Sequence, residues 1–332
     1  MKLVKLIRCA AFGLTLPVFL AGCGHKAVQQ TVDGTPASLT VRIAYHKSGI
    51  FNILRTYGTL DKALAAKGVA VKWEEFAAGP QVLEAIGDHN ADLGATGDTP
   101  PIFAQAAGVS LVYVANIPPG DPTSQEIIVP KNSPIRTVAD LKGKKVAFQK
   151  GSGAHYMLVQ ALTRAGLKYS DIQPVYLSPP DAGAAFASGQ LDAWVIWDPL
   201  LTISLTRNGG RVIADETGLP QRGGYYLADR SFAVAHPDIL KIVLGEAKKA
   251  GDWTTTHPEQ AAVILSPKEG LPPSTLSIIF KHGGLADYVP LSPAVIASQQ
   301  KEADTFYALG LIPKPISIED DLLPPQTLEA LK

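Results

Sequence analysis

A pattern that occurs twice constrains this chain more than any other feature. Ile43-Ala44-Tyr45-His46-Lys47-Ser48-Gly49 has a counterpart in Val146-Ala147-Phe148-Gln149-Lys150-Gly151-Ser152-Gly153, and Asp98-Thr99-Pro100 has one in Asp198-Pro199. Order and spacing repeat as well: Lys47 and Asp98 are 51 residues apart, Lys150 and Asp198 are 48. Each string runs from β-forming residues through a Gly- or Pro-marked break into apolar residues at helical spacing, the signature of a strand feeding a helix N-terminus. A chain that does this twice in the same order is expected to build two similar halves.

The rest of the sequence fits that expectation. Val41, Ile43 and Tyr45 alternate on one strand face; after the break, Ile50, Ile53, Leu54, Tyr57, Leu60 and Leu64 share a helix face. Strands over 69–76, 91–95 and 111–115 follow, interleaved with helical patterns, and the alternation restarts after about residue 130. Such alternation predicts an α/β fold with mostly parallel sheets covered by helices. Crossings near 124–130 and 222–228 divide the chain into a first lobe of residues 39–129 and 225–332 and a second of 130–224, hinged about a central ligand cleft. The helical stretch from His236 is assigned to the first lobe, and 313–332 to a surface tail.

In open α/β sheets, ligands sit beyond the carboxyl ends of the strands, where both pairs of turns fall. A helix N-terminus offers unpaired N–H groups and a partial positive charge, so it can hold an anion without Arg or Lys. Two such starts per lobe would turn up to four positive dipole ends toward one cleft. Backbone amides and the hydroxyls of Ser48, Thr96, Thr99 and Ser152 are the expected donors. Asp98 and Asp198 would repel an anion while ionised, so they either cap helices or meet the cationic end of a zwitterion. Trp197, Tyr45 and Tyr156 are candidate apolar walls.

The N-terminus points to export. Lys2, Lys5 and Arg8 precede an apolar run ending in Leu20-Ala21-Gly22-Cys23, the layout of a lipoprotein signal. The run is too short to span a membrane as a helix. Cleavage before Cys23 would leave a lipidated cysteine as the sole membrane anchor and residues 23–38 as a polar tether. Cys9 leaves with the signal, so no thiol remains for a disulfide, a metal or nucleophilic catalysis. Removing three of the 30 basic residues leaves 27 against 30 acidic, a net charge of −3, which argues against nucleic-acid binding. Gly151-Ser152-Gly153-Ala154-His155-Tyr156 has Tyr156 in place of the third glycine of a dinucleotide fingerprint, and the seven histidines show no paired ligand spacing, so neither a cofactor nor a metal is expected.

The strings FAAGPQVLEA (76–85), TGDTPPIFAQAAG (96–108), LVYVAN (111–116), SPIRTVADLKGKKVAFQKGS (133–152), SDIQPVYLSP (170–179) and LDAWVIWDP (191–199) resemble the aliphatic sulfonate-binding proteins of ABC importers. The resemblance implies a type II periplasmic binding protein fold, a monomer closing two α/β lobes on a small alkanesulfonate, with an ABC permease and its ATPase as partners and sulfur supply as the purpose. It implicates Lys47, Ser48, Gly49, Thr96, Gly97, Asp98, Thr99, Gly151, Ser152, Gly153, His155, Trp197 and Asp198 as ligand-facing. His46 departs from the Gln common in the family. A taurine or nitrate receptor would share the fold and differ in the cleft walls. An enzyme on the same scaffold, such as a pyrimidine-precursor synthase, would need a titratable constellation in the cleft, for which only His46 and His155 are candidates.

Overall fold

A computed structural model describes residues 39–47, 49–207, 209–220, 222–282 and 288–331. The signal segment, the tether with Cys23, and Ser48 lie outside the described residues. Among the described residues ten strands form two sheets: β1 (Thr40–His46), β2 (Ala70–Phe76), β3 (Leu93–Gly97), β4 (Leu111–Ile117), β5 (Gln125–Pro130), β6 (Lys145–Phe148), β7 (Gln173–Tyr176), β8 (Ala193–Trp197), β9 (Gly210–Ala214) and β10 (Gly224–Asp229). The first sheet has the order β2-β1-β3-β10-β4 and the second β7-β6-β8-β5-β9. These orders are the same once β1 is matched with β6 and β3 with β8, so the two repeated strings occupy equivalent places in equivalent sheets.

In both sheets the first three strands are parallel and the fourth is antiparallel, supplied by chain arriving from or returning to the other sheet. β5 therefore belongs to the second sheet, bonded to β8 and β9. The expected first-lobe boundary at residue 129 lies a strand too late, because pairing rather than chain continuity decides membership. The return crossing runs tight against the first sheet. A Cβ on Gly224 would sit 2.3 Å from the Thr96 carbonyl oxygen and one on Gly223 1.8 Å from that of Ile117, so only glycine fits either position.

Strand alternation sorts the core. Val41, Ile43 and Tyr45 face a cluster built with the helices Ile50–Tyr57 and Pro237–Thr256, while Ala44 faces another with Ile86, Ile102 and Phe306. In the second sheet Ala193 and Val195 pack with Phe148 and Leu158, whereas Trp194 and Ile196 pack with Phe186 and Leu201. The period-two direction of strand side chains produces both divisions. The helical run from Ile50 to Leu64 is broken at Gly58, whose φ of 65° ends one helix and starts the next. Residues 313–332 are no loose surface tail: Ile318 and Leu323 are buried, Tyr113 bridges Leu322, and the helix Pro325–Leu331 packs on Pro237–Thr256 through Leu328 and Leu331. No described helix is long and apolar enough to cross a membrane.

Candidate functional site

Turns from the carboxyl ends of β1, β3 and β8, with the turn after β6, meet at one cleft of about 280 Å³. Of the residues singled out in the sequence, Lys47, Gly49, Thr96, Gly97, Asp98, Ser152, Gly153, Trp197 and Asp198 line it. Thr99, Gly151 and His155 do not. Thr99 is fully buried one step behind Asp98. Gly151 adopts φ +71°, close against the Phe103 ring. His155 is fully buried among Phe103, Phe148, Tyr169 and Phe306. Its Nδ1 accepts the Gly151 N–H at 3.3 Å and its Nε2 bonds Tyr169 at 3.0 Å, so it shapes the turn from beneath.

The four helix starts are not equivalent. Gly49 and Ser152 provide no side-chain cap to the helices Ile50–Tyr57 and Gly153–Arg164, leaving first-turn amides for a ligand. Asp98 caps its own helix by accepting the Thr99 N–H at 2.9 Å, and Asp198 accepts the N–H and hydroxyl of Thr202 at 3.1 and 2.6 Å. Of the four hydroxyls expected to donate to an anion, the three among the described residues are engaged with protein acceptors: Thr96 Oγ1 with the Gly97 carbonyl, Ser152 Oγ with that of Gln149, and Thr99 Oγ1 with Asp98 and Glu302. Among the described residues, main-chain amides are therefore the donors these turns offer.

The sequence reading missed a cation. Arg222, in the return crossing, lines the cleft with its side chain only 6% exposed. It donates to Asp98 Oδ2 at 2.5 Å and to Glu216, and lies over the Tyr156 ring with its Cζ 4.9 Å from the centroid. Asp98 follows β3 of one sheet and Glu216 follows β9 of the other, so one guanidinium links both halves. Its buried Nε has no hydrogen-bond partner among the described residues. A second link joins the halves where His282 Nδ1 meets Asp198 Oδ2 at 2.5 Å, and that bond holds the His282 pKa above its ordinary value. Only the adjacency of Arg222 to Gly223-Gly224 hinted at the first, and His282 gave no local signal.

Behind the β3 turn stands the helix Pro293–Ala308. Gln299 donates to the Asp98 carbonyl at 2.6 Å, and Glu302 accepts from Thr99. Burial, reinforced by the charge of Asp98, pushes the Glu302 carboxyl well above the usual range. That shift favours its protonated form beside Asp98. His46 also lines the cleft; burial outweighs its bond to the Ala95 carbonyl and depresses its pKa to about 4, so the imidazole is uncharged at neutral pH.

The apolar walls also differ from expectation. Trp197 lines the cleft, but Tyr45 and Tyr156 are core residues. The remaining apolar wall comes from the helix Ile50–Tyr57 and from the C-terminal helices Pro258–Glu269 and Pro273–Lys281, through residues such as Ile53, Leu265 and Leu276.

Residues 64–261 match the family model described as NMT1/THI5 like. The chain is 44% identical over 298 residues, 90% of its length and 92% of the relative's, to an Escherichia coli protein described as an aliphatic sulfonates-binding protein. The crystal structure of the periplasmic aliphatic sulphonate binding protein SsuA from Escherichia coli superposes with a TM-score of 0.76 at 44% identity, covering 86% of this chain and 97% of that one. The alkanesulfonate-binding protein SsuA from Xanthomonas axonopodis pv. citri, bound to MOPS, gives 0.82 at 40% identity, covering 85% and 97%. The two sheets of one order and the cleft between them are those of a periplasmic binding protein, a binding component rather than an enzyme, and the chain belongs to the NMT1/THI5-like family alongside its aliphatic sulfonate-binding members.

Proposed function

We propose that this chain captures an alkanesulfonate outside the cytoplasm and delivers it to an ABC permease and its ATPase, as a monomer serving sulfur uptake. The observation that carries the reading is the cleft itself: two helix starts without side-chain caps, at Gly49 and Ser152, lie on one cavity with a guanidinium. A sulfonate stays ionised at biological pH and presents three acceptor oxygens, which suit amide donors beside a guanidinium charge. Asp98 and Asp198 already face Arg222 and His282, so they support a simple anion better than a zwitterion such as taurine. The lobes of the reading are residues 39–124 with 224–331, and 125–223. They close on the ligand about the two crossings.

Gly153 opens its helix at the first position, where proline is sterically suited and only the N–H is lost. Gly153→Pro is expected to weaken ethanesulfonate binding tenfold to a hundredfold, as for loss of one hydrogen bond to a charged group worth ~1.5–3 kcal/mol. A Cβ at this position lies 3.3 Å from Asp98 Oδ1, so Gly153→Ala is the control that adds the carbon and keeps the donor. Equal calorimetric affinities for the two variants would remove the amide from the site.

Export and anchoring belong to the same proposal. The basic, apolar and Leu20-Ala21-Gly22-Cys23 segments support cleavage before Cys23 and lipidation of its thiol, with residues 23–38 as tether. Cys23→Ser is expected to move the protein from the membrane fraction to the soluble one. Retention on the membrane would rule the anchor out.

A further inference from the structure

We propose that His282 sets the charge of the anion cleft, neutralising Asp198 only while it carries a proton, and thereby decides between a simple alkanesulfonate and one that brings its own cation. The proposal rests on the anion-binding reading above and adds the control of that site. Asp98 and Asp198 border the cleft at equivalent turns of the two halves, and each meets a cation from elsewhere in the chain. Asp98 meets Arg222, whose guanidinium keeps its charge at every biological pH. Asp198 meets an imidazole, whose charge changes within that range. One aspartate is therefore compensated permanently and the other conditionally.

The geometry favours a protonated ring. His282 ends the helix Pro273–Lys281, where the partial negative charge of the last carbonyls attracts a cation, and the Asp121 N–H holds its own carbonyl at 2.7 Å. Carboxyl groups from three other elements act on the ring: Asp198 after β8, Asp121 in the crossing and Glu126 on β5. Glu126 is buried, its Oε2 has no hydrogen-bond partner among the described residues, and Asp215 adds to the negative field around it. The bond to Asp198 raises the His282 pKa, with burial opposing it. Asp198 itself is buried, its Oδ1 taking the N–H and hydroxyl of Thr202 and its Oδ2 meeting His282. A neutral imidazole with its hydrogen on Nδ1 would keep that last bond and lose the charge, so the carboxylate would then face the cleft uncompensated. Lys47 also borders the cleft, but its ammonium lies half exposed toward Glu75 at 3.9 Å.

The sign follows directly. The charge is fully present below the ordinary histidine value of about 6.5 and is lost as pH rises through the raised one. A sulfonate does not titrate in this range, so a change in its affinity belongs to the protein. One unit charge roughly 10 Å away, at an effective dielectric of about 20, alters the affinity of an anion about tenfold. Calorimetry in sulfonate-free buffers is therefore expected to show the ethanesulfonate Kd rising about tenfold from about pH 6 to about pH 8.5. Taurine has the same two carbons and an ammonium that stays largely charged in this window; beside Asp198 it replaces the lost cation, so its Kd should change less than about threefold. His282→Gln should hold ethanesulfonate at the weaker, high-pH level throughout, and His282→Lys at the tighter, low-pH level. Glu126, raised to about 7 chiefly by burial, releases its proton in the same window but is present in all three proteins, so the slope that disappears is that of His282. Where one variant fails to fold, the other decides. A pH-independent ethanesulfonate Kd in the unaltered protein, equal slopes for the two ligands, or an undiminished slope in a folded variant would overturn the role of His282 alone. Absence of ethanesulfonate binding at every pH would overturn the head-group reading, and this role with it.

Discussion

Arg222→Met is expected to lower stability by about 3–5 kcal/mol, the usual cost of removing one partner from a buried ionic cluster. The structure gives the reason. Asp98 and Glu216 each direct a carboxylate oxygen at the guanidinium, Glu302 lies behind Asp98, and the whole group is shielded from solvent. Methionine would preserve much of the contact over Tyr156 and remove the charge, leaving buried anions facing one another. The deficit should depend on pH, and its sign follows from Glu216, whose pKa burial already raises. Without the guanidinium it would rise further, so the folded variant would hold protons that the unfolded chain has released. Stability of the variant then falls as pH rises through that value, and its gap from the unaltered protein widens from pH 5 to pH 8. Urea denaturation at those two pH values measures it; a constant gap would mean the cluster is not electrostatic in origin. Arg222→Lys keeps the charge but lacks the planar fork that reaches both carboxylates, and should fall between.

What the sequence made legible follows from the range over which each interaction acts. Alternation and helical spacing are local, and they located the strands, the four turns and the equivalence of the two halves. Sheet membership is not local. β5 follows β4 in the chain but hydrogen-bonds to β8, which no periodicity within Gln125–Pro130 could reveal. The same limit applies to the site. Thr96, Asp98, Ser152 and Trp197 sit at strand ends next to helix starts and could be picked out by turn chemistry, whereas Arg222 and His282 reach the cleft, and Gln299 the back of the β3 turn, from 84 to 201 residues away from the aspartates they bond. The hydroxyls fail for a different reason. Ser and Thr at helix starts compete with any ligand for their own backbone, and here Thr96 and Ser152 bond carbonyls one and three residues away. His155 belongs to the same lesson: its position in the turn suggested a ligand contact, and its neighbours make it part of the core.

That placement leads to the second large effect, on acid stability. His155 accepts the Gly151 N–H through Nδ1, so its proton is on Nε2, where it donates to Tyr169. Burial, with Lys150 adding to it, depresses the imidazole to about 3. A base depressed in the fold leaves stability untouched above its unfolded pKa of about 6.5 and removes about 1.4 kcal/mol per pH unit below it, until the folded value is reached. His155→Phe should therefore be less stable at pH 7 by ~1–3 kcal/mol, since the Gly151 N–H loses its acceptor. On acidification it should lose stability more slowly by one proton's worth. The two profiles are expected to cross near pH 5, with the variant the more stable at pH 4. His46, depressed to about 4, contributes a similar slope to both proteins. Glu126, raised to about 7 chiefly by burial, opposes it in both between pH 7 and 4.5, because a raised carboxyl binds its proton more tightly in the fold. Those contributions cancel in the difference between the two proteins, so the difference curve reports His155 alone. Parallel profiles from pH 7 to pH 4 would show that its ring takes up a proton in the folded state, and the neutral tautomer under the Gly151 turn would have to be abandoned.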